Sequence, residues 1–398
     1  MNKATICIPT YWTNETGIPS IDSLNNVYDH PTPINSAGTI ERVLNSLLGL
    51  KDDFNVVVIG TITEPELRGN FQTKLKKMLK KFKKLNLYFF SFDELQAFQG
   101  LLEKKHQAFY RKYLDLEGYS NIRNLCLILP HLLGSELAVL IDDDEVIADK
   151  NFIAKAADYM GETPGEEKLL AKSGLYIYEE DSEKALKSPW WERFWPKGRT
   201  MNEVFESAKK GPRLTPAPVA LGGAMVVHKE LFEKVSFDPW VPRGEDIDYL
   251  INCKLHGVNF YFDNELTFLH LPPEHLSHVL GMRQDFYRFI YEKEKLSYAF
   301  GHTDLKHFDL EELDPYPGYF LRNDIGKRAL SLSVLTSIRD IYKSDVFEHL
   351  KLIRTVLWNA KRYAKMNKSR WFGFQRLWPA FMEEIKSIDA NEVLTKIS

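Results

Sequence analysis

The sequence predicts an α/β protein: a mostly parallel sheet with flanking helices, followed by a helical C-terminal region. Over the first 150 residues, β-branched apolar runs alternate with segments of helical periodicity. That order pairs strands in parallel and lays crossover helices on the sheet faces. The apolar run Leu137–Ile141 breaks off into four acids, Asp142, Asp143, Asp144 and Glu145. They fall at a strand's carboxyl end, where such sheets bind ligands. From about residue 279 the apolar spacing turns helical.

The elements follow in order. "ATICIPT" (4–10) is a first strand, stopped by Pro9. "AGTIERVLNSLLGL" (37–50) is a helix with Thr39 as N-cap. "NVVVIGTIT" (55–63) is a buried strand, and "FQTKLKKMLKKFKK" (71–84) a helix with one apolar stripe and lysines elsewhere. "LNLYFFSF" (85–92) is a strand, "SNIRNLCLILPHLLG" (120–134) a helix kinked or shortened by Pro130, and "LAVLID" (137–142) a strand. Strands and irregular segments mix over 151–275, including the aromatic loop of Trp190, Trp191, Phe194 and Trp195. Helices are expected over 326–342 and 345–366. This divides the chain into 1–278, with halves 1–150 and 151–278, and a helical part 279–398.

A formal charge of −3 over 398 residues is no nucleic-acid coat. Cys7, Cys126 and Cys253 are scattered, without a CxxC pair, which fits a reducing cytosol better than a disulfide framework. No apolar run approaches the ~18 residues of a membrane span, and the N-terminus lacks the apolar stretch of a signal peptide. A cytoplasmic protein is expected, with attachment to a membrane surface left open.

Adjacent carboxylates repel, so a cluster of four persists best around a cation. An acidic oxygen-donor motif suits Mg²⁺ or Mn²⁺, hard ions that also bind substrate phosphates. Asp142 and Asp144, two residues apart on leaving a strand, can face one ligand. The competing reading is a solvated turn before a helix.

"SNIRNLCLILPHLLGSELAVLIDDDEVI" resembles the stretch of GT-A-fold, family-2-like glycosyltransferases in which an Arg-Asn helix precedes a strand ending in a DxD motif. "ICIPTYW" and "GTIERVLNSLLGL" are similar to their first strand and helix. "LGGAMVVHKELFEKVSFDPWVPRGEDIDYL" is similar to their acceptor region, and "FLHLPPEH" to a late strand whose His completes metal or diphosphate binding. The resemblance covers roughly residues 4–275, and some relatives it suggests are of the mannosylglycerate synthase type.

The resemblance implies transfer of a sugar from a nucleotide-diphosphate donor to a hydroxyl acceptor, a small molecule or glycan, with Mg²⁺ or Mn²⁺. It implies Asp142, Asp144 and His270 at the metal, with His275 as competitor. Pro9, Thr10, Tyr11, Arg123, Asn124, Asp142, Asp143 and Gly223 would adjoin the nucleotide sugar. Asp246, or else Glu245, would be the base if the enzyme inverts; a retaining enzyme would use these acids to position the acceptor. Arg283 is a candidate cationic clamp. The family's acid after the second strand is missing at its usual place, with Glu64 several residues late, and the insertion 14–38 is expected to form a substrate loop. The alternatives are a sugar-phosphate nucleotidyltransferase, which should carry a Gly-rich phosphate loop that "PTYWTNETGIPS" lacks, and a non-catalytic binding protein of the same fold.

Between Glu348 and Glu383 eight Lys or Arg and no acid occur, interleaved with Trp358, Tyr363, Trp371, Phe372, Phe374, Trp378 and Phe381. Docking within the protein or a homo-oligomer is expected of these helices, with peripheral contact on an anionic membrane as the alternative.

Overall fold

The computed structural model describes residues 3–18, 28–177, 194–273, 278–339 and 346–397. The chain begins with β1 (Ala4–Thr13), β2 (Thr32–Pro33), α1 (Ile40–Leu47), β3 (Phe54–Ile62), α2 (Arg68–Leu79) and β4 (Asn86–Phe90). Then come α3 (Phe92–Lys104), α4 (Tyr119–Leu132), β5 (Leu137–Leu140), β6 (Glu145–Val146), α5 (Phe152–Ala157) and β7 (Ala171–Ile177). The second half adds α6 (Lys197–Lys210), β8 (Leu214–Pro216), β9 (Met225–His228), α7 (Lys229–Phe232), α8 (Glu245–Leu255) and β10 (Tyr261–His270). It ends in α9 (His278–Ala299), α10 (Ile325–Arg339), α11 (Val346–Arg354), α12 (Ala360–Asn367), α13 (Arg370–Ile385) and β11 (Thr395–Lys396).

These strands form one sheet in the order β11-β4-β3-β1-β5-β9-β7-β10-β6, with β2 on β1 and β8 on β10. The strands β4, β3, β1 and β5 run parallel, and β7 pairs in parallel with β10; β9 is the reversed strand between β5 and β7. The expected class is therefore the one found: a mostly parallel, helix-flanked sheet with a helical C-terminal region.

Successive residues of β1 enter opposite cores, as a strand covered on both faces requires. Ile6 and Ile8 join Val56, Val58 and Val139 under α1 and α2, whereas Cys7 joins Val57, Ile59 and Leu140. The second core continues without a break through α4, α8 and α9 to Trp371, Trp378 and Phe381 of α13.

Several boundaries differ from the sequence reading. β1 runs past Pro9 to Thr13. Its pairing with β5 ends at Cys7 opposite Leu140, so the N–H that Pro9 lacks falls beyond that ladder. Pro130 stands in the last turn of α4, which ends two residues later at Leu132. The carbonyl of Cys126, left without its i+4 donor, accepts from the Cys7 thiol at 3.6 Å. Phe92 starts α3 rather than ending a strand, and Ser91 with Glu94 forms a capping box. The helix α6 and the return of β11 to pair with β4 were not anticipated.

The C-terminal aromatics turn inward. Trp378 Nε1 donates to the carbonyl of Phe232 at 2.8 Å, Trp371 Nε1 to Ser236 Oγ at 3.2 Å, and the Tyr363 hydroxyl to the carbonyl of Trp240 at 2.6 Å. Docking within the chain is thus the arrangement found for these residues, while Trp358 is exposed. Among the described residues no helix is long and apolar enough to cross a membrane. Trp195 is buried against Phe286, Phe289 and Phe320 as core packing. Trp190, Trp191 and His275 lie outside the described residues.

Candidate active site

β1 and β5 lie side by side, and the acids leave the carboxyl end of β5. Each finds a partner on a different element. The Thr10 hydroxyl of β1 donates to Asp143, and Trp12 Nε1 donates to Thr10 Oγ1 at 2.9 Å. Glu145 is fully buried, and its Oε2 accepts the N–H of Asp142 at 3.1 Å. Gly223, just before β9, lies against this carboxylate: a Cβ there would stand 2.0 Å from Glu145 Oε1. A side chain at 223 would push the acid loop away from the sheet. Asp144 Oδ2 stands 3.5 Å from His270 Nε2 at the end of β10, and the imidazole stacks on Tyr176 with ring centres 4.6 Å apart. The pairing of His270 with Glu145 between β10 and β6 fixes that approach.

The electrostatics are those of crowded acids. Burial, reinforced by the neighbouring carboxylates, raises the pKa of Asp142 and Glu145, and lifts Asp143 to about 8 despite its hydrogen bond from Thr10. Positive charge is what the loop is short of.

Arg123 of α4, 2 % exposed, supplies one such charge. Its Nη2 lies 2.7 Å from Asp142 Oδ1 and its Nε 3.1 Å from Glu245 Oε1. The guanidinium thus ties the acid loop to the first turn of α8. Among the described residues its buried Nη1 has no hydrogen-bond partner. Asn124, expected beside the nucleotide, points away from Asp142 and Glu245. About 100° further round the helix, it is fully buried and both ends of its amide are bonded to the backbone of Phe237, at 3.1 and 2.8 Å. Thr10 is likewise fully buried, so it supports Asp143 from below instead of lining an open pocket.

Glu245 is buried and held by Arg123; burial, then the charge of Asp246, lifts its pKa to about 7. Asp246 is half-buried and accepts the N–H of Gly222 at 3.1 Å. It is the more accessible of the two acids. Gly244, the N-cap of α8, has φ +66°, and a Cβ there would stand 2.0 Å from Arg288 Nη1. Asp248, one turn on, is fully buried beneath Lys295. Lys295 Nζ also holds Asp238 and Asn252 at 2.8 and 2.9 Å, locking α9 to α8.

Tyr11, at the far end of β1, packs against Tyr28 and Tyr119 with ring centres 4.3 and 5.1 Å away. The described end of the 14–38 insertion therefore folds onto the site through Tyr28, and Asp29 beside it pairs with Arg243 at 2.9 Å. Tyr28 was not singled out from sequence, nor was Tyr119, although Tyr119 stands four residues before Arg123 and so on the same helix face. Glu64 follows β3 directly because that strand runs to Ile62; it is buried, with Asn14 Nδ2 donating to it at 3.0 Å. Arg283 lies half-buried on α9.

Among the described residues no three His, Cys, Asp or Glu side chains form a ready-made metal cage. The residues nevertheless fit a Mg²⁺-like ion, which takes one or two protein ligands and completes its shell with water and substrate phosphates. Asp144 and His270 offer an oxygen and a nitrogen 3.5 Å apart. That separation suits two ligands each about 2.1 Å from one ion. Asp142, its side chain 32 % exposed, adjoins them.

No family model and no curated protein matches the chain. Solved structures similar to it include the following three. A mannosyltransferase from Pyrobaculum calidifontis, in complex with GDP-Man and Mn²⁺, is 12 % identical over 98 % of this chain and 88 % of its own, at a TM-score of 0.47. A mycobacterial protein is 14 % identical over 72 % and 74 %, at 0.36. TarS of S. aureus is 14 % identical over 89 % of this chain and 54 % of its own, at 0.37. At such values the reading of the site rests on its own residues.

Proposed function

We propose that the chain is a glycosyltransferase that moves a sugar from a nucleotide-diphosphate donor to a hydroxyl acceptor, with Mg²⁺ or Mn²⁺ at the diphosphate. The observation that carries this is the Arg123 bridge. It joins an acid loop able to hold a cation to a helix start that presents a half-buried carboxylate, Asp246, able to take a proton.

Each part then has a task. Tyr11, with Tyr28 and Tyr119, forms an aromatic wall for the base and ribose beside Pro9. Asp144 and His270, with Asp142, would hold the cation, which when bound offsets the charge developing on the nucleoside diphosphate. Arg123 fixes the direction of Asp142 and holds Glu245 in place. Gly222 and Gly223 bring the backbone close to both acid groups without a side chain in between. In an inverting course Asp246 removes the acceptor's proton; in a retaining course it orients that hydroxyl. The test is nucleoside diphosphate release from UDP-, GDP- and ADP-sugars with and without Mg²⁺ or Mn²⁺. Absence of hydrolysis, transfer and metal-dependent donor binding across that panel would overturn the proposal.

A further inference from the structure

Three cations from three elements meet beside the start of α8. Lys197, at the N-terminus of α6, places Nζ 2.9 and 2.8 Å from the two carboxylate oxygens of Asp285. Arg243, in the segment before α8, binds Asp29 at 2.9 Å. Arg288 of α9, 2 % exposed, binds Glu292 at 2.9 Å and donates to the Tyr316 hydroxyl at 3.2 Å. The backbone of Gly244 lies directly on the Arg288 guanidinium, two residues before Asp246. Among the described residues the buried Nη2 of Arg288 has no hydrogen-bond partner.

The carboxylates around this cluster, Asp285, Asp29 and Glu292, fix the cations in place. Asp285 serves all three: burial opposes its ionisation, but Lys197, Arg243 and Arg288 together hold its pKa below the usual value. Burial lifts Glu292 to about 7 against the pull of Arg288, so it is only partly charged at neutral pH. The Lys197 and Arg243 side chains keep 25 and 21 % of their surface exposed. An incoming anion could meet them without displacing the buried pair beneath.

We infer that Lys197 and Arg243, backed by Arg288, form an anion-binding subsite beside Asp246 that takes a phosphate group carried by the acceptor. Paired guanidinium and ammonium donors match phosphate oxygens. Held there, the acceptor would present a hydroxyl a few bonds away to Asp246. This rests on reading the site as a glycosyltransferase's, because that reading makes Asp246 face an acceptor. The shared chemistry, phosphate on basic side chains, could also serve the donor's diphosphate, and the experiment separates the two.

The measurement is isothermal titration of the metal-free protein with glycerol 1-phosphate against glycerol, and glucose 6-phosphate against glucose. The phosphorylated member of each pair should bind at least 10-fold more tightly, because charge-assisted hydrogen bonds to phosphate are stronger than neutral ones. Lys197→Gln and Arg243→Gln should each remove about 10-fold or more, and Arg243→Lys should recover part of the loss. Binding should persist when a nucleoside diphosphate together with Mg²⁺ saturates the protein. Equal binding of charged and neutral probes, or unchanged affinity in both variants, would overturn the subsite. Competitive displacement by the nucleoside diphosphate would assign the cluster to the donor and overturn the acceptor assignment. Lys197→Gln removes only a partly exposed ammonium, so it decides the matter if Arg243→Gln, which frees Asp29, fails to fold. Variant-sensitive phosphate binding with no turnover of any nucleotide sugar would refute the transferase reading, while the subsite would stand.

Discussion

The choice between Asp246 and Glu245 can be decided by a matched pair of isosteric substitutions. Asp246→Asn keeps the shape but not the basicity. Its carboxylate accepts two backbone N–H groups, from Gly222 at 3.1 Å and Ile247 at 2.8 Å. The amide can satisfy one of them, so the loss of stability is about 1–2 kcal/mol. For 398 residues, an unfolding entropy of about 2.1 cal/mol/K per residue converts this to a fall in Tm of roughly 1–2 °C. Removing a general base should instead lower turnover by about 10²–10⁴-fold, a rise in barrier of roughly 3–5 kcal/mol. Glu245→Gln still accepts from Arg123, which keeps Asp142 as its ionic partner at 2.7 Å. A drop in turnover of less than about 10-fold is expected there, on the scale of one weakened hydrogen bond. The assay is the initial rate of acceptor-dependent nucleoside diphosphate release, with donor affinity and Tm measured alongside. The reasoning is refuted if Asp246→Asn retains turnover within about threefold while Glu245→Gln loses a hundredfold. Near-normal turnover in both would remove either acid as base and leave only a positioning role.

Asp144→Ala should abolish the metal-dependent part of donor binding in calorimetry and leave the metal-free part unchanged; equal metal dependence in variant and wild type would discard the ligand role. Gly244→Ala combines a left-handed backbone, about 1 kcal/mol, with a Cβ driven into Arg288, about 1–3 kcal/mol more; a thermal melt should show a drop of roughly 2–5 °C. Asp263→Asn strips a partner from Lys172, both fully buried and 2.8 Å apart, at a cost of about 3–5 kcal/mol at neutral pH. Burial works against Asp263, but Arg213 and Lys172 hold its pKa below the usual value. Its contribution is therefore present above the unfolded-state pKa and lost as pH falls through the folded one. The gap between wild-type and variant stabilities in denaturant should start to narrow only as pH falls past the unfolded-state pKa and should close below the folded one, and a gap that widens on acidification would contradict the sign. Chelator alone should leave Tm within about 1 °C, since every acid of the 142–145 loop already has a protein partner.

The sheet was legible because its strands write their burial as unbroken β-branched runs, and the helices α1, α2 and α4 because their stripes repeat with the helical period. Elements were missed where the signal lay in a cap or in long-range pairing. The Ser91–Glu94 box starts α3 inside what reads as one aromatic run, and β11 pairs with β4 only because the whole C-terminal region returns to that edge. In the site, motif order brought Asp142, Asp144, His270, Arg123 and the 245–246 acids into one neighbourhood. It could not show which of two adjacent residues faces inward. Asn124 follows Arg123 in sequence but points at Phe237, a fact set by helix phase and by the chain 113 positions later. The cationic trio was invisible for a related reason: Lys197, Arg243 and Arg288 come from separate elements, and although Arg243 directly precedes the Gly244-Glu245-Asp246 motif, nothing in the sequence places the other two beside it.

Four adjacent acids seemed to require a cation simply to coexist, but their partners show otherwise. Asp142 answers to α4 through Arg123, Asp143 to β1 through Thr10, Asp144 to β10 through His270, and Glu145 to its own loop through the Asp142 N–H. The loop is thus tied to three other elements, and the repulsion is spread over separate contacts. Of the four, Glu145 is fully enclosed, and Asp143 has one oxygen held by Thr10. The demand for a cation contracts to Asp144 and His270 with Asp142 beside them, too few ligands to hold an ion firmly without more oxygens. A diphosphate supplies those oxygens. Metal and donor would accordingly bind as one unit, each weak without the other, on a scaffold that folds before either arrives.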